Sequence, residues 1–137
     1  MSERNSRLYL TDILESGNAI LEFTKGMPFE AFRNDRKTCS AVIREFEIIG
    51  EAVGKIPDDM KRRYPDVEWQ DIKDFRNLLI HEYFGVDQEI VWKIIEDDLP
   101  VLIDSVKKND GGNQSRLSKY TFTRIFNSES VKEKLNN

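Results

Sequence analysis

The sequence predicts an all-α protein, an antiparallel bundle of four to five helices with a C-terminal appendage. Three observations lead there. Apolar residues recur at steps of three and four through several long segments. Only seven Gly and four Pro interrupt 137 residues, and charged residues make up 34% against 39% hydrophobic, the balance of helices with one buried and one solvated face. The length suits one compact domain plus an appendage, divided as residues 1–109 and a linker with a basic tail at 110–137.

The first segment runs from about Ser6 to Phe23, where Leu10, Ile13, Leu14, Ile20 and Leu21 form a stripe with Gly17 in its middle. It ends before Lys25-Gly26, because glycine accepts the left-handed turn that follows a helix. Met27-Pro28 opens a single turn, Phe29 to Phe32, that leans two aromatics on the core. In the longest segment, Asp35 to Ile56, Val42, Phe46, Ile49 and Val53 repeat at helical steps with Arg44, Glu47, Glu51 and Lys55 on the opposite side. Gly50 and Gly54 cost helix propensity and so mark a close helix contact. Glu45, at the margin of the stripe, needs a partner or an exposed edge.

Ile56-Pro57-Asp58-Asp59 stops that helix and caps a short basic one through Lys61-Arg62-Arg63, which Tyr64-Pro65 closes. The segment from Trp69 follows, and Phe84-Gly85-Val86-Asp87 breaks it and caps a last helix. That helix carries Ile90, Val91, Ile94, Ile95, Leu99, Val101, Leu102 and Val106, and Pro100 kinks or restarts it. Asn109 to Asn113 is a linker. Beyond it only Tyr120, Phe122, Ile125 and Phe126 break a run of little periodicity, so the tail is either disordered or docked on a partner.

No run of about 18 apolar residues exists, and Met1 to Arg7 lacks the apolar core of a secretion signal, so a cytoplasmic location away from membranes is expected. Cys39, the only cysteine, cannot form an internal disulfide and is expected as a buried bystander. No set of Cys and His could build a zinc site, and Gly50 to Gly54 has neither the spacing nor the lysine of a phosphate loop; no metal or cofactor is expected. A formal charge of −4 speaks against non-specific coating of nucleic acid. From Asn113 onward, five basic and two acidic residues leave the tail at +3 and the rest at −7, a tail that could touch RNA or an acidic partner or simply be solvated.

Chemistry concentrates between Trp69 and Asp87, which holds the only histidine. At about 100° per residue, Ile72, Leu79, Ile80 and Tyr83 lie within about 60° of Arg76, placing a guanidinium in an apolar stripe. His81 is about 140° away, on a face shared with Asp74 and Asn77. Two interpretations fit. Arg76 can pair with a carboxylate between helices, Glu45 being one candidate, with His81 an exposed residue bonded to Asn77 or Asp74 and Tyr83 a core aromatic. Alternatively, guanidinium and imidazole make a site for phosphate chemistry, since imidazole ionises near neutrality and guanidinium fits phosphate oxygens.

Arg76-Asn77-Leu-Leu-Ile-His81-Glu-Tyr83 reproduces a motif of Arg, a polar residue, a short spacer, His, any residue and Tyr. With Arg7 to Glu15, Ala41 to Arg44, Glu47 to Ala52, Tyr64-Pro65 before Trp69, and Ile80 to Asp87 with Ile90-Val91-Trp92, it resembles the HEPN superfamily over about residues 6 to 106. The resemblance is closest to the HepT-like toxins of HEPN/MNT toxin–antitoxin systems.

That resemblance implies a HEPN-like helical fold and a metal-independent endoribonuclease toxin held in check by an MNT-type nucleotidyltransferase antitoxin. Arg76 and His81 would be the catalytic pair, Asn77 would orient or contact phosphate, and Tyr83 would be the hydroxyl that is AMPylated. It also implies a homodimer with a composite cleft, which would relieve one helix of aiming Arg76 and His81 at the same point. Asp74, preceded by Lys73, stands where glycine is frequent in such sequences; its carboxylate would either tune His81 or repel RNA. The alternatives are a catalytically silent HEPN subunit that binds nucleotide or partner for the transferase, and a purely structural helical dimer.

Overall fold

The computed structural model describes residues 3–82 and 85–108, and within them all regular structure is helical. The order is α1 (Glu3–Thr24), α2 (Phe29–Arg33), α3 (Arg36–Lys55), α4 (Asp58–Lys61), α5 (Trp69–His81), α6 (Gln88–Lys93), a π-helical stretch (Ile94–Asp98) and α7 (Leu99–Lys107). The last three run on without a break, so the bundle has four long arms, with α2 and α4 as short turns in the connections. The expected all-α bundle is the fold found. Tyr83, Phe84 and the linker and tail from Asn109 lie outside the described residues.

Local chemistry sets the boundaries. Gly26, at φ 76°, takes the left-handed turn after α1. Asp35 caps α3 by accepting from the Thr38 amide at 3.0 Å and the Thr38 hydroxyl at 2.7 Å. Asp87 caps α6 through the Glu89 amide at 2.9 Å. Pro100 cannot donate to the carbonyl four residues back and its ring crowds that carbonyl. The π-helical stretch beside it widens the turn there, and α7 begins with Pro100 in its first turn, at the point where a kink or restart was expected. α4 ends at Lys61, short of the expected basic helix through Arg63.

The arms pack antiparallel. Lys55, at the end of α3, lies over the ring of Tyr9 near the start of α1 at 5.7 Å. Phe46 of α3 meets Phe75 of α5 edge-on at 5.2 Å. Ile103 and Leu99 of α7 close over Gly17 of α1. Ile13, Ile20, Val42, Ile49, Val53, Leu79, Val91, Ile94 and Leu99 fill the core between these arms. Trp92 stacks obliquely on Phe32 at 5.0 Å, which joins α2 to α6. Cys39 is buried as expected, its thiol donating to the Phe32 carbonyl at 3.0 Å. Burial, then the charge of Asp35, pushes that thiol above its ordinary pKa.

Gly50 fixes the distance between α3 and α5. A Cβ there would fall on Cβ and Cγ of Arg76, with Cδ at 3.4 Å. Gly54, expected to make a similar contact, faces open space. Cβ of Arg76 moves only with its backbone, so Gly50→Ala should destabilise by about 1–3 kcal/mol despite its better helix propensity, read as a lower urea midpoint.

Asp35 supplies a second test. The Thr38 hydroxyl, and after it the Thr38 amide, hold its carboxyl below the ordinary carboxylate pKa. A depressed folded pKa contributes stability that is present above the unfolded value and lost as pH falls through the folded one. Asp35→Asn keeps an acceptor but cannot ionise, so its urea midpoint should fall less steeply than that of the wild type below about pH 4.

Candidate active site

α5 is anchored at its start. The indole of Trp69 donates to the Lys61 carbonyl at 3.1 Å and meets the Tyr64 ring edge-on at 5.9 Å. From there Ile72, Phe75, Leu78 and Leu79 turn inward. This stripe is centred near Phe75, so Arg76, about 100° round, lies on its flank and not in its middle. Ile80, placed in the stripe by the sequence pattern, is 39% exposed.

The flank position separates the two ends of Arg76. Its stem lies against Gly50, while the guanidinium reaches the surface with the side chain 33% exposed. Nη1 donates to Oδ1 of Asn77 at 3.2 Å, and Nη2 stands 3.9 Å from Oε1 of Glu51. Nε is buried and has no acceptor among the described residues. The carboxylate beside Arg76 is therefore Glu51 and not Glu45. Glu51 was expected opposite the apolar stripe of α3 and is exposed there, from where it borders the same groove as Gly50 and Gly54.

The result is an open groove of about 420 Å³, bounded by Gly50, Glu51, Gly54 and Lys55 on α3 and by Lys73, Arg76 and Asn77 on α5. Three cations face one carboxylate there, a balance that favours an anion. Lys73 also acts on its surroundings: burial, and then the like charge of Lys73, lower the pKa of Lys61, while Asp58 opposes them. Lys73 and Lys55 are the groove residues that sequence reasoning missed as site residues. Lys73 stands three residues before Arg76 on one helix, a spacing that places them as neighbours and could have found it.

His81 is not brought to the groove. It is the last residue of α5, exposed, about 7.5 Å further along the axis and about 140° round from Arg76. Asp74 accepts from Nε2 of Gln70 at 2.9 Å, and Asn77 is engaged with Arg76. The expected bond from either residue to His81 is thus replaced by these pairings. Tyr83 lies outside the described residues. Among the described residues no group of three or more His, Cys, Asp and Glu could hold a metal ion, and no helix is long and apolar enough to cross a membrane.

The family model "Ribonuclease HepT-like" matches residues 13–108. The chain belongs to the HepT-like ribonuclease family. A Methanocaldococcus jannaschii protein named "Putative RNase" is 43% identical over 107 residues, covering 78% of this HepT-like chain and 98% of the relative. The "Probable ribonuclease HepT" of Thermococcus cleftensis is 45% identical over 106 residues, 77% of this chain and 96% of that protein. A longer M. jannaschii protein, named "Gamma-glutamylcyclotransferase and putative RNase", is 30% identical over 97% of this chain and 62% of its own length. That similarity extends into the tail beyond residue 108, which the family model leaves out. No solved structure matches the chain.

Both partners of the Arg76–Glu51 pair are partly exposed and 3.9 Å apart, so the pair contributes little to folding. Glu51→Gln should change the unfolding free energy by less than about 1 kcal/mol in urea titrations. A larger loss would assign Arg76 to structural support.

Proposed function

We propose that the chain is a metal-independent endoribonuclease, the toxin of a HEPN/MNT-type pair, silenced by AMPylation of Tyr83 by a nucleotidyltransferase antitoxin. The observation that supports it most is the partly exposed Arg76 guanidinium, held between Asn77 and Glu51 at the mouth of a cationic groove, in a HepT-like chain.

RNA carries its own nucleophile. A base takes the proton of the 2′-hydroxyl, its oxygen attacks the adjacent phosphorus, and the bond to the 5′-oxygen breaks as that oxygen gains a proton. The products are a 2′,3′-cyclic phosphate and a 5′-hydroxyl end. His81 moves the proton, Arg76 donates to the non-bridging oxygens as charge builds on them, Lys73 adds to that field, and Asn77 steadies the guanidinium. The reaction needs no metal.

One copy cannot aim both groups at one phosphorus, and the proposal therefore includes a homodimer. In an antiparallel two-fold contact between α5 helices, residues whose numbers share one sum face each other. Setting Arg76 opposite His81 of the partner subunit also sets Asn77 opposite the partner subunit's Ile80. Both positions are exposed on α5, which suits such a contact. Asp74 is left as a nearby negative charge bonded to Gln70. Tyr83 follows His81 by two residues, so an AMP there adds bulk and negative charge where substrate phosphate would enter.

RNA incubated with purified protein in chelator should be cut, with Arg76→Ala and His81→Ala reducing the rate about 100-fold or more. No cleavage by wild type, or equal cleavage by the variants, overturns the enzyme reading. Co-expression with an MNT-type nucleotidyltransferase should add the mass of AMP to the Tyr83 peptide. An unmodified Tyr83 in a neutralised pair would remove the proposed regulation.

A further inference from the structure

A second groove, of about 780 Å³, opens where α2, α3 and α6 meet, and Arg33, Arg36, Arg44, Ile43, Glu47 and Gln88 line it. On α3, measured from Ile43 at about 100° per residue, Arg36, Glu47, Gly50 and Gly54 all fall within about 40°, and Arg44 and Glu51 within about 100°. The two grooves therefore lie on one face of α3, end to end. From Arg36 to Gly54 that face is about 27 Å long at 1.5 Å per residue.

The charge along it is unlike the rest of the molecule. Outside the tail the chain carries −7, yet on this face Arg33, Arg36 and Arg44 stand toward one end and Lys55, Lys73 and Arg76 toward the other, against Glu47 and Glu51 between them. Arg33 is engaged with Glu30 at 3.4 Å, an exposed pair that yields readily to a better acceptor. Arg36 and Arg44 have no ion pair among the described residues. Oε1 of Gln88 is buried in the same wall without a donor among those residues. Phosphate supplies only acceptors, whereas ribose brings a hydroxyl that donates. Cations beside an unsatisfied amide oxygen match the alternation of a ribose-phosphate strand.

We propose that this second groove binds the single-stranded RNA substrate away from the cut, Arg36 and Arg44 contacting phosphates that flank the one held at Arg76. The proposal rests on the ribonuclease reading and adds to it where the strand runs. A basic groove that tracks the backbone reads length and strand type, not sequence.

The test is binding of a labelled single-stranded RNA of about 12 nucleotides by the full chain, with His81→Ala and Arg36→Ala/Arg44→Ala/His81→Ala compared across a salt series. Loss of two phosphate contacts should lower the slope of log affinity against log salt by about 1.4 and weaken binding roughly tenfold or more at low salt. The lysine versions of both positions should restore the slope. Without the His81 change, the double variant should cut a dinucleotide as wild type does and the longer RNA more slowly. An unchanged slope overturns the groove, even if wild type cuts RNA. A lost slope in a protein that cuts nothing upholds the groove and removes the ribonuclease reading. A change in oligomeric mass with an unchanged slope assigns the groove to a protein contact and also overturns the proposal.

Discussion

The seam between α3 and α5 depends on the absence of a single carbon. Because Gly50 has no side chain, the stem of Arg76 lies directly on the α3 backbone, and the two helices approach as close as that stem permits. The contact resolves the conflict of a guanidinium on a helix that must bury Phe75, Leu78 and Leu79. Methylenes fill the seam, and the charge emerges at its mouth beside Asn77 and Glu51. Any side chain at position 50 would have to move α5 and, with it, the walls formed by Lys73 and Asn77. Fold and groove therefore share one constraint.

Much of the fold could be read from residues whose chemistry is local. Gly26 needs only its own φ, and Asp35 and Asp87 need only an amide two or three residues on. The helical period likewise located the buried faces of α1 and α3. What could not be read was rotation. A period gives the angle between two residues but not which direction holds the core, and on α5 Phe75 and Leu78 turn the interior face away from Arg76. On α3 the period marks Glu51 and Lys55 as exposed but cannot show that they border the groove with α5, which leaves Glu45 as the apparent partner. At Asp74 the reason is different: Gln70, one turn earlier on the same helix, takes up the carboxylate in place of His81.

The candidate site was legible as a motif before it was legible as a place. The spacing of Arg76, Asn77 and His81 pointed to the family, and the family model over residues 13–108 agrees with it. The spacing could not show that Lys55 and Lys73 join Arg76, because that requires knowing which turn of α3 faces which turn of α5. Nor could a net charge of −4 show it. Composition argues only against a protein that coats nucleic acid everywhere and is silent about cations gathered on one face.

The separation of Arg76 from His81 is the feature that most constrains mechanism. A proton-transfer group must come within hydrogen-bond reach of the atom it serves, and a charge-stabilising group within about 3 Å of the developing oxyanion. On α5 these two side chains leave the axis about 140° apart and about 7.5 Å apart in height, with an exposed Ile80 close to the arc between them. Bending a helix by the required amount would break the bonds that bury Leu78 and Leu79, at a cost beyond what one substrate contact returns. The proposed second copy would supply the missing direction without any bending. On the proposed mechanism catalytic competence then follows assembly: a lone chain holds a cation in one groove and a base on another side, and only their juxtaposition across a two-fold axis makes a site for one phosphorus.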